Sequence, residues 1–550
     1  MKRWGRMLRQ RLAAPPALLA LVAAQVLTNV WYIAQQKAGN PNPGDEAAHT
    51  IDILAHYYRG VASLRDAVYP PFTAFVSIVL HHLLGTSFQV SVLANAPFLL
   101  ALVAGVYGIA FRLTKSFAAG LFAAVLVSCY PMIALLSRMV MFEFPTAGMV
   151  ALAVWLLLET EGFSRRDAAV LFGLVCGLGQ LTRESFAVFV IGPVIAEIVR
   201  GLAFPAAEHA PRRMEIVVNI LAATALALLL PVLWYAHDPG PKLTMARLSA
   251  TLHPNHPEIR FFSRLGLLFY PYTVLDWSVS VWLSLPIFAA LPAFFRHASP
   301  QRWAILGWIV VPWLFFSNLD WKLARYLTAM LPALAVLTAV GLFSIRTAWL
   351  RVSLIAATTL SAVFVWTALT FGIAPQNLVI ETGLPAYVTG IRLALSAGEQ
   401  DIHVGPPTRE PWPLEEIGAL IARAARLPGG ATAARFLNQP DWRRTHPMLY
   451  ENQLNFPLEY VIVRDRLAAE LLDFYFDDQG AIAPLWPERG YTAEKDLPKA
   501  VLLISTGPDL PRLLQQENRW ALIRKFTDRG VEKNVYCNTD RVSPAYFQTP

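Results

Sequence analysis

Apolar runs long enough to cross a bilayer recur through the first two thirds of this chain, and they limit its fold more than any other feature. A segment in hydrocarbon must satisfy its own backbone hydrogen bonds, so a chain with many such runs folds as a helical bundle. The runs fall at 17–34, 90–111, 117–136, 144–158, 168–181, 185–199, 216–236, 273–295, 303–317, 326–344 and 352–372. At about twenty residues per crossing this means about eleven spans, several of them short. Only 15% of the 550 residues are charged, against about 25% in soluble domains. The expected fold class is therefore a polytopic α-helical membrane protein.

One further run, Phe72–Leu84, is short for a span, follows Tyr69-Pro70-Pro71 and carries His81 and His82 at its end. The basic residues decide its reading. They cluster at Lys2/Arg3/Arg6/Arg9/Arg11, Arg112/Lys115, Arg165/Arg166, Arg200/Arg212/Arg213, Arg296/Arg302 and Arg346/Arg351. If Phe72–Leu84 does not cross, all six clusters share one side, which the positive-inside rule makes cytoplasmic. If it crosses, five lie outside. Phe72–Leu84 is therefore expected to be a re-entrant or interfacial helix at the membrane surface, with no ligand role for His81-His82. The N-terminal cluster with the apolar run behind it resembles a signal peptide. That run is long for one and no small-x-small cleavage site follows, so it is expected to stay as an uncleaved first span.

The same parity places 39–87, 137–143, 182–184, 237–272, 318–325 and the tail on the far, periplasmic side. That side collects Asp45, Glu46, His49, Asp52, Arg138, Glu143, Arg183, Glu184, Lys322 and Arg325. Residues 1–374 hold 27 Lys+Arg against 16 Asp+Glu, whereas 375–550 hold 19 against 22. The basic excess is thus a topology signal, with no stripe suited to nucleic acid. The chain divides by composition into a membrane domain, 1–374, and a soluble C-terminal periplasmic α/β domain, 375–550. In the latter, 384–396 and 414–426 have helical periodicity, and 460–463, 501–505 and 531–537 read as strands. No phosphate-binding Gly-rich loop is present there. The cysteines Cys129, Cys176 and Cys537 form no zinc spacing and no disulfide framework.

Four constellations are suited to chemistry. Asp45-Glu46, with His49 and Asp52 on a following helix, offers a general base, a divalent-cation ligand or a helix N-cap. Arg138 and Glu143 flank the outer ends of two spans, as functional groups or as a mutual ion pair. Arg183-Glu184 lies between two short spans. Lys322 and Arg325, with Tyr326, lie on the side where positive charge is scarce. They would grip a lipid phosphate, Arg as a fork and Lys as a point charge, or merely snorkel. His253 and His256 lack a third metal ligand.

Four stretches carry a family resemblance in order: GDEAAH at 44–49, YPPFTAFV at 69–76, SRMVMFEFP at 137–145 with GLVCGLGQLTRES at 173–185, and SNLDWKLARYLTAMLPAL at 317–334. With these the chain resembles the GT-C superfamily of polyprenyl-phosphate-sugar glycosyltransferases. The likeness is to bacterial relatives of the dolichyl-phosphate-mannose protein mannosyltransferases and of the lipid A aminoarabinose transferases. The resemblance implies Asp45 as the catalytic acid–base residue, with Glu46 beside it and Glu143 at the second acidic position. It implies Lys322, Arg325, Arg183 and Arg138 as donor-phosphate ligands, and His49 and Tyr326 as substrate contacts. Val68-Tyr69 stands where the family often has His-Lys or Glu-Lys, which removes a zinc ligand; a divalent cation is left open. The implied function is transfer of a sugar from a polyprenyl monophosphate to a lipid, glycan or protein hydroxyl, at the periplasmic face of a bacterial inner membrane. The alternatives are a transporter or flippase of lipid-linked sugars, for which mid-span charges and inverted repeats are expected, whereas this chain has few charges mid-span and no evident repeat, and a non-catalytic relative.

Overall fold

The computed structural model describes residues 16–35, 45–203, 213–240, 242–243, 263–319 and 322–371, and in the C-terminal part 379–380, 391–392, 397–399, 402–404, 420, 423, 434–437, 482–484, 502–506, 519–528 and 531–548. The chain forms two compact units. The first takes Met1–Ile33, Gly60–Leu83 and Val90–Pro407; the second takes Ala34–Arg59, Leu84–Gln89 and Thr408–Pro550.

The first unit is a helical bundle. Its helices are α1 (Pro16–Gln35), then, after α2 (Asp45–Arg59) of the second unit, α3 (Phe72–Leu84), α4 (Phe88–Leu93), α5 (Ala96–Thr114), α6 (Phe117–Cys129), α7 (Pro131–Leu136) and α8 (Glu143–Glu159). There follow α9 (Arg166–Gln180), α10 (Phe186–Ala203), α11 (Arg213–Ala236), α12 (Arg264–Thr273), α13 (Val281–Phe295), α14 (Arg302–Ser317), α15 (Leu331–Phe343) and α16 (Ala348–Phe371). Every apolar run is helical. Six stretches among the described residues are long and apolar enough to cross a membrane: Pro16–Gln35, Phe88–Thr114, Phe186–Ala203, Arg213–Ala236, Ala324–Phe343 and Ala348–Phe371.

The helices differ in what surrounds them. From Leu331 to Leu342 every side chain of α15 is buried, so this helix is the centre of the core. By contrast α11 and α16 expose Leu221, Leu233, Val352 and Leu360, the outward apolar surface that a lipid solvent permits. Close approach depends on glycine. A Cβ on Gly192 would stand 2.3 Å from Gly307 O, and one on Gly105 would stand 2.5 Å from Ala151 C. The pairs α10/α14 and α5/α8 therefore meet backbone to backbone.

Where an expected span is broken, a residue explains it. The run 117–136 divides at Tyr130, which is extended (ψ 128°), before Pro131 at the start of α7. The run 273–295 contains a π-helical turn, Val274–Ser278, and Ser280 at φ 77°. The run 326–344 opens as a 3-10 helix, Ala324–Met330. The helix Phe72–Leu84 has the bounds expected from sequence, but its amphipathicity is inverted. Thr73, Ser77 and His81 are buried while Phe75, Val79 and Leu83 are exposed. His81, expected at the membrane surface, is 1% exposed, and its Nε2 lies 3.0 Å from Ser91 Oγ. Of the three inward polar groups His81 meets a hydroxyl, while the Thr73 and Ser77 hydroxyls are buried without a hydrogen-bond partner among the described residues.

The compact division falls after Pro407 rather than at 374/375. Two strand pairs, β1 (Val379–Ile380) with β2 (Ile391–Arg392) and β3 (Ala397–Glu399) with β4 (Ile402–Val404), belong to the first unit. Of the helix expected over 384–396 only Ile391–Arg392 is described, and those two residues are strand. The second unit contains a five-stranded sheet of β5 (Ala434–Leu437), β6 (Ile482–Pro484), β7 (Leu502–Thr506), β8 (Trp520–Asp528) and β9 (Val531–Asn538), in the order β6-β5-β7-β9-β8. β5 is parallel to β6 and β7; β9 is antiparallel to β7 and β8. The expected strands at 501–505 and 531–537 are present as β7 and β9. The strand expected at 460–463 lies outside the described residues, as does most of the helix expected at 414–426.

Candidate active site

Three loops at one end of the first unit bring a carboxylate and two guanidinium groups together. Glu143 is the first residue of α8, where a carboxylate complements the positive end of the helix. Arg183 lies in the turn between α9 and α10. That turn is fixed by Gln180 Nε2 donating to Glu184 O (2.9 Å), Phe186 N to Arg183 O (3.1 Å) and Phe72 N to Leu181 O (2.8 Å). Arg325 lies in the 3-10 helix, where Thr328 Oγ1 donates to Arg325 O (2.6 Å) and Trp308 Nε1 to Ala329 O (2.9 Å).

Both arginines reach the same oxygen. Arg183 Nη1 is 2.8 Å, and Arg325 Nε 3.3 Å, from Glu143 Oε1. Glu143 is 5% exposed and Arg325 3%. The Arg183 guanidinium also lies over the Tyr326 ring, 5.1 Å from its centroid. Burial alone would lower the Arg183 pKa, but Glu143, Tyr326 and Glu184 outweigh it and hold it above the ordinary value. Burial pushes the neighbouring Glu184 carboxyl up, against the opposing pull of Arg183. Lys322, 3% exposed, donates through Nζ to Leu319 O. The guanidinium groups of Arg183 and Arg325 thus meet at one carboxylate oxygen, the kind of fork geometry that also suits an oxyanion.

Arg138 is elsewhere in its contacts. The expected alternative, an ion pair with Glu143, is not the pairing formed. Its Nε donates to Asn29 Oδ1 (3.1 Å), its Nη2 to Thr370 Oγ1 (2.7 Å), and its guanidinium lies 4.5 Å from the Tyr32 ring centroid. Asn29 Nδ2 donates in turn to Ser137 O (3.2 Å) and Oγ (3.0 Å). Arg138 therefore joins the first and last long helices to the 137–139 turn, with neutral partners throughout. Burial lowers its pKa to about 10, which leaves it charged at neutral pH. Asn29 was the sequence signal for this knot: an amide inside an apolar run needs a partner.

The first acidic pair is on α2, in the second unit. Asp45 is the first residue of that helix. Glu46 is 2% exposed and His49 8%, and Thr50 Oγ1 donates to Glu46 O (2.7 Å). Asp52, further along the helix, has its pKa raised to about 6 by burial, with Arg59 opposing; His56 Nε2 lies 3.6 Å away. Asp320 lies outside the described residues, as do His253 and His256. Among the described residues no group of three or more His, Cys, Asp or Glu side chains is placed to hold a metal ion.

The family model for dolichyl-phosphate-mannose-protein mannosyltransferases matches residues 68–235. Over 197 residues the chain is 29% identical to an undecaprenyl phosphate-α-4-amino-4-deoxy-L-arabinose arabinosyl transferase of Sodalis glossinidius (strain morsitans). That alignment covers 34% of this chain and 33% of the relative, so the match spans about a third of the curated relative's length. The crystal structure of ArnT from Cupriavidus metallidurans bound to undecaprenyl phosphate is similar with a TM-score of 0.57 at 12% identity, over 94% of this chain and 98% of that one. Its apo state is similar with a TM-score of 0.57, over 96% and 99%. The fold is that of the GT-C membrane glycosyltransferases.

Proposed function

We propose that this chain, a membrane protein of GT-C fold, is a glycosyltransferase that takes a sugar from a polyprenyl monophosphate and passes it to an acceptor hydroxyl at the periplasmic face of a bacterial inner membrane. One observation carries the reading: two guanidinium groups from separate loops converge on one buried carboxylate, with Lys322 buried on the same connecting segment as Arg325. The ArnT structure with undecaprenyl phosphate supports a lipid phosphate as the anion.

The reaction follows from the charges. The acceptor oxygen attacks the anomeric carbon as the bond from that carbon to the phosphate oxygen breaks. The polyprenyl phosphate leaves with the electron pair, and the acceptor proton passes to a carboxylate, for which Asp45 is the proposed base with Glu46 beside it. Arg183, Arg325 and Lys322 stabilise the charge developing on the leaving phosphate. His49 and Tyr326 are the proposed substrate contacts. Arg138, committed to Asn29 and Thr370, is not assigned to the phosphate. No step needs a nucleotide.

Purified protein given a polyprenyl-phosphate sugar and a panel of lipid, glycan and peptide acceptors is expected to release polyprenyl phosphate in step with a new glycoside. Asp45→Asn is expected to lower transfer by about 10²–10⁴, the usual contribution of a general base, with binding of polyprenyl phosphate retained. Movement of intact donor across a vesicle membrane without glycoside formation would make the protein a transporter. Unchanged transfer by Asp45→Asn would remove Asp45 from the mechanism.

A further inference from the structure

We infer that Glu143 is the counter-ion of the phosphate subsite and not an acid–base group: it holds Arg183 and Arg325 in place until a phosphate displaces it from Arg325. This rests on the phosphate reading above and gives the second acidic position a different task from the first.

Geometry separates the two arginines. Arg183 has the shorter contact with Glu143 Oε1, 2.8 Å, and is held on its other side by the Tyr326 ring. Its turn is fastened by the three hydrogen bonds described above. Arg325 has the longer contact, 3.3 Å through Nε. An arriving phosphate competes with Glu143 for Arg325 and leaves the Arg183–Glu143 pair standing. A buried and a partly buried guanidinium group facing each other without an anion would repel, so a carboxylate between them is what allows the ligand-free site to stay assembled.

A proton-transfer role fits poorly. Both guanidinium groups lie on Glu143 Oε1, so a substrate hydroxyl would have to compete with Arg183 and Arg325 for that oxygen. Glu143 is therefore a positioning residue, acting through the arginines.

The consequence runs opposite to ordinary damage of a site. Glu143→Gln keeps an amide oxygen for Arg183 but removes the charge that competes with phosphate. Binding of sugar-free polyprenyl phosphate in detergent micelles is expected to tighten by at least about fivefold, as loss of a nearby unit charge in a poorly solvated site implies. Steady-state kcat is expected to fall because the product phosphate leaves more slowly, while single-turnover transfer continues and both limbs of the pH–rate profile stay in place. Glu143→Asp, which restores the charge one methylene shorter, is expected to return affinity to within about twofold of the parent.

Unchanged or weaker phosphate binding in Glu143→Gln, with Glu143→Asp no different, overturns the inference. So does loss of a pH limb together with a fall of about 10²–10⁴ in single-turnover transfer, which would make Glu143 a proton-transfer group. A parent protein that binds no polyprenyl phosphate overturns both the inference and the reading it rests on. A parent that binds it, tightens on Glu143→Gln and yet transfers no sugar overturns the transferase reading alone.

Discussion

Glu143 and Arg138 were equivalent as sequence, each an ionisable residue at the outer end of an apolar run, yet they have different partners. The difference lies in what the fold brings to each. Glu143 meets two cations from loops about 40 and 180 residues further along the chain. Arg138 meets an amide and a hydroxyl from the first and last long helices. Arg138→Lys should therefore act on stability. An ammonium cannot reach Asn29 and Thr370 in the same geometry, and a charged hydrogen bond is worth about 1.5–3 kcal/mol. A loss of about 2 kcal/mol, seen as a fall of several degrees in Tm in detergent, is expected, with polyprenyl-phosphate affinity within about twofold. A selective loss of affinity at unchanged Tm would return Arg138 to the phosphate site. Residue types and their places at the ends of apolar runs were legible in the sequence. The pairing was not, because it depends on contacts between distant segments that no local spacing encodes.

The helices were the most legible level, since twenty apolar residues admit few alternatives to a helix. What sequence periodicity did not convey was the orientation of Phe72–Leu84. Its inward Thr73, Ser77 and His81 follow the rule for a helix beside lipid, the reverse of the rule beside water. The strand Trp520–Asp528 was also missed, because Arg524, Lys525 and Asp528 give it the polarity of a loop. Two changes test the element level. Gly192→Ala puts a methyl 2.3 Å from Gly307 O, so α10 and α14 must separate. We expect a cost of about 1–3 kcal/mol, read as a lower Tm, and an unchanged melt would mean that the two helices are not in backbone contact. On α2, burial raises the Asp52 pKa from 3.8 to about 6. A raised folded-state pKa favours the protonated form, so its contribution is whole below about pH 4 and is lost as pH climbs through 6. Asp52→Asn removes that dependence. It should melt higher than the parent at pH 7.5, by no more than the roughly 3 kcal/mol that two pKa units represent, with the gain falling to about a third of that at pH 4.5. A gain that is the same at both pH values would detach it from the titration of Asp52.

At the scale of the molecule, α8 acts as a ruler. Its 17 residues span about 24 Å, with Glu143 at one end and Glu159 at the other. At the Glu159 end the basic clusters converge: Arg112 Nη1 is 2.8 Å and Arg165 Nη1 3.8 Å from Glu159 Oε2, and Arg112 Nε donates to Gln301 (3.2 Å). Close by, the loop carries three successive residues at positive φ, Glu161, Gly162 and Phe163. It is held by Gly162 N donating to Glu197 Oε2 (3.2 Å) and Asn219 Nδ2 donating to Phe163 O (2.9 Å), with Arg200 Nη2 2.6 Å from the same Glu197 oxygen. Members of three basic clusters thus occupy the end remote from Glu143, and the positive-inside trend predicts a cytoplasmic location for that end. At the Glu143 end, β4 lies against α7 and β3 against the π-helical turn, so Gly398 should share the side of the site. A reporter fused after Arg165 is expected to read cytoplasm and one fused after Gly398 periplasm. Thiol labelling of Arg165→Cys and Gly398→Cys in intact cells, in a background without the three native cysteines, should label only Gly398→Cys. Labelling of Arg165→Cys alone would invert the molecule and turn Glu143, Arg183 and Arg325 toward the cytoplasm, where a periplasmic acceptor could not reach them. That is also the pattern expected if Phe72–Leu84 crosses, whereas labelling of both would mean that one of the short runs between Arg165 and Gly398 does not cross, which breaks the parity on which the orientation rests.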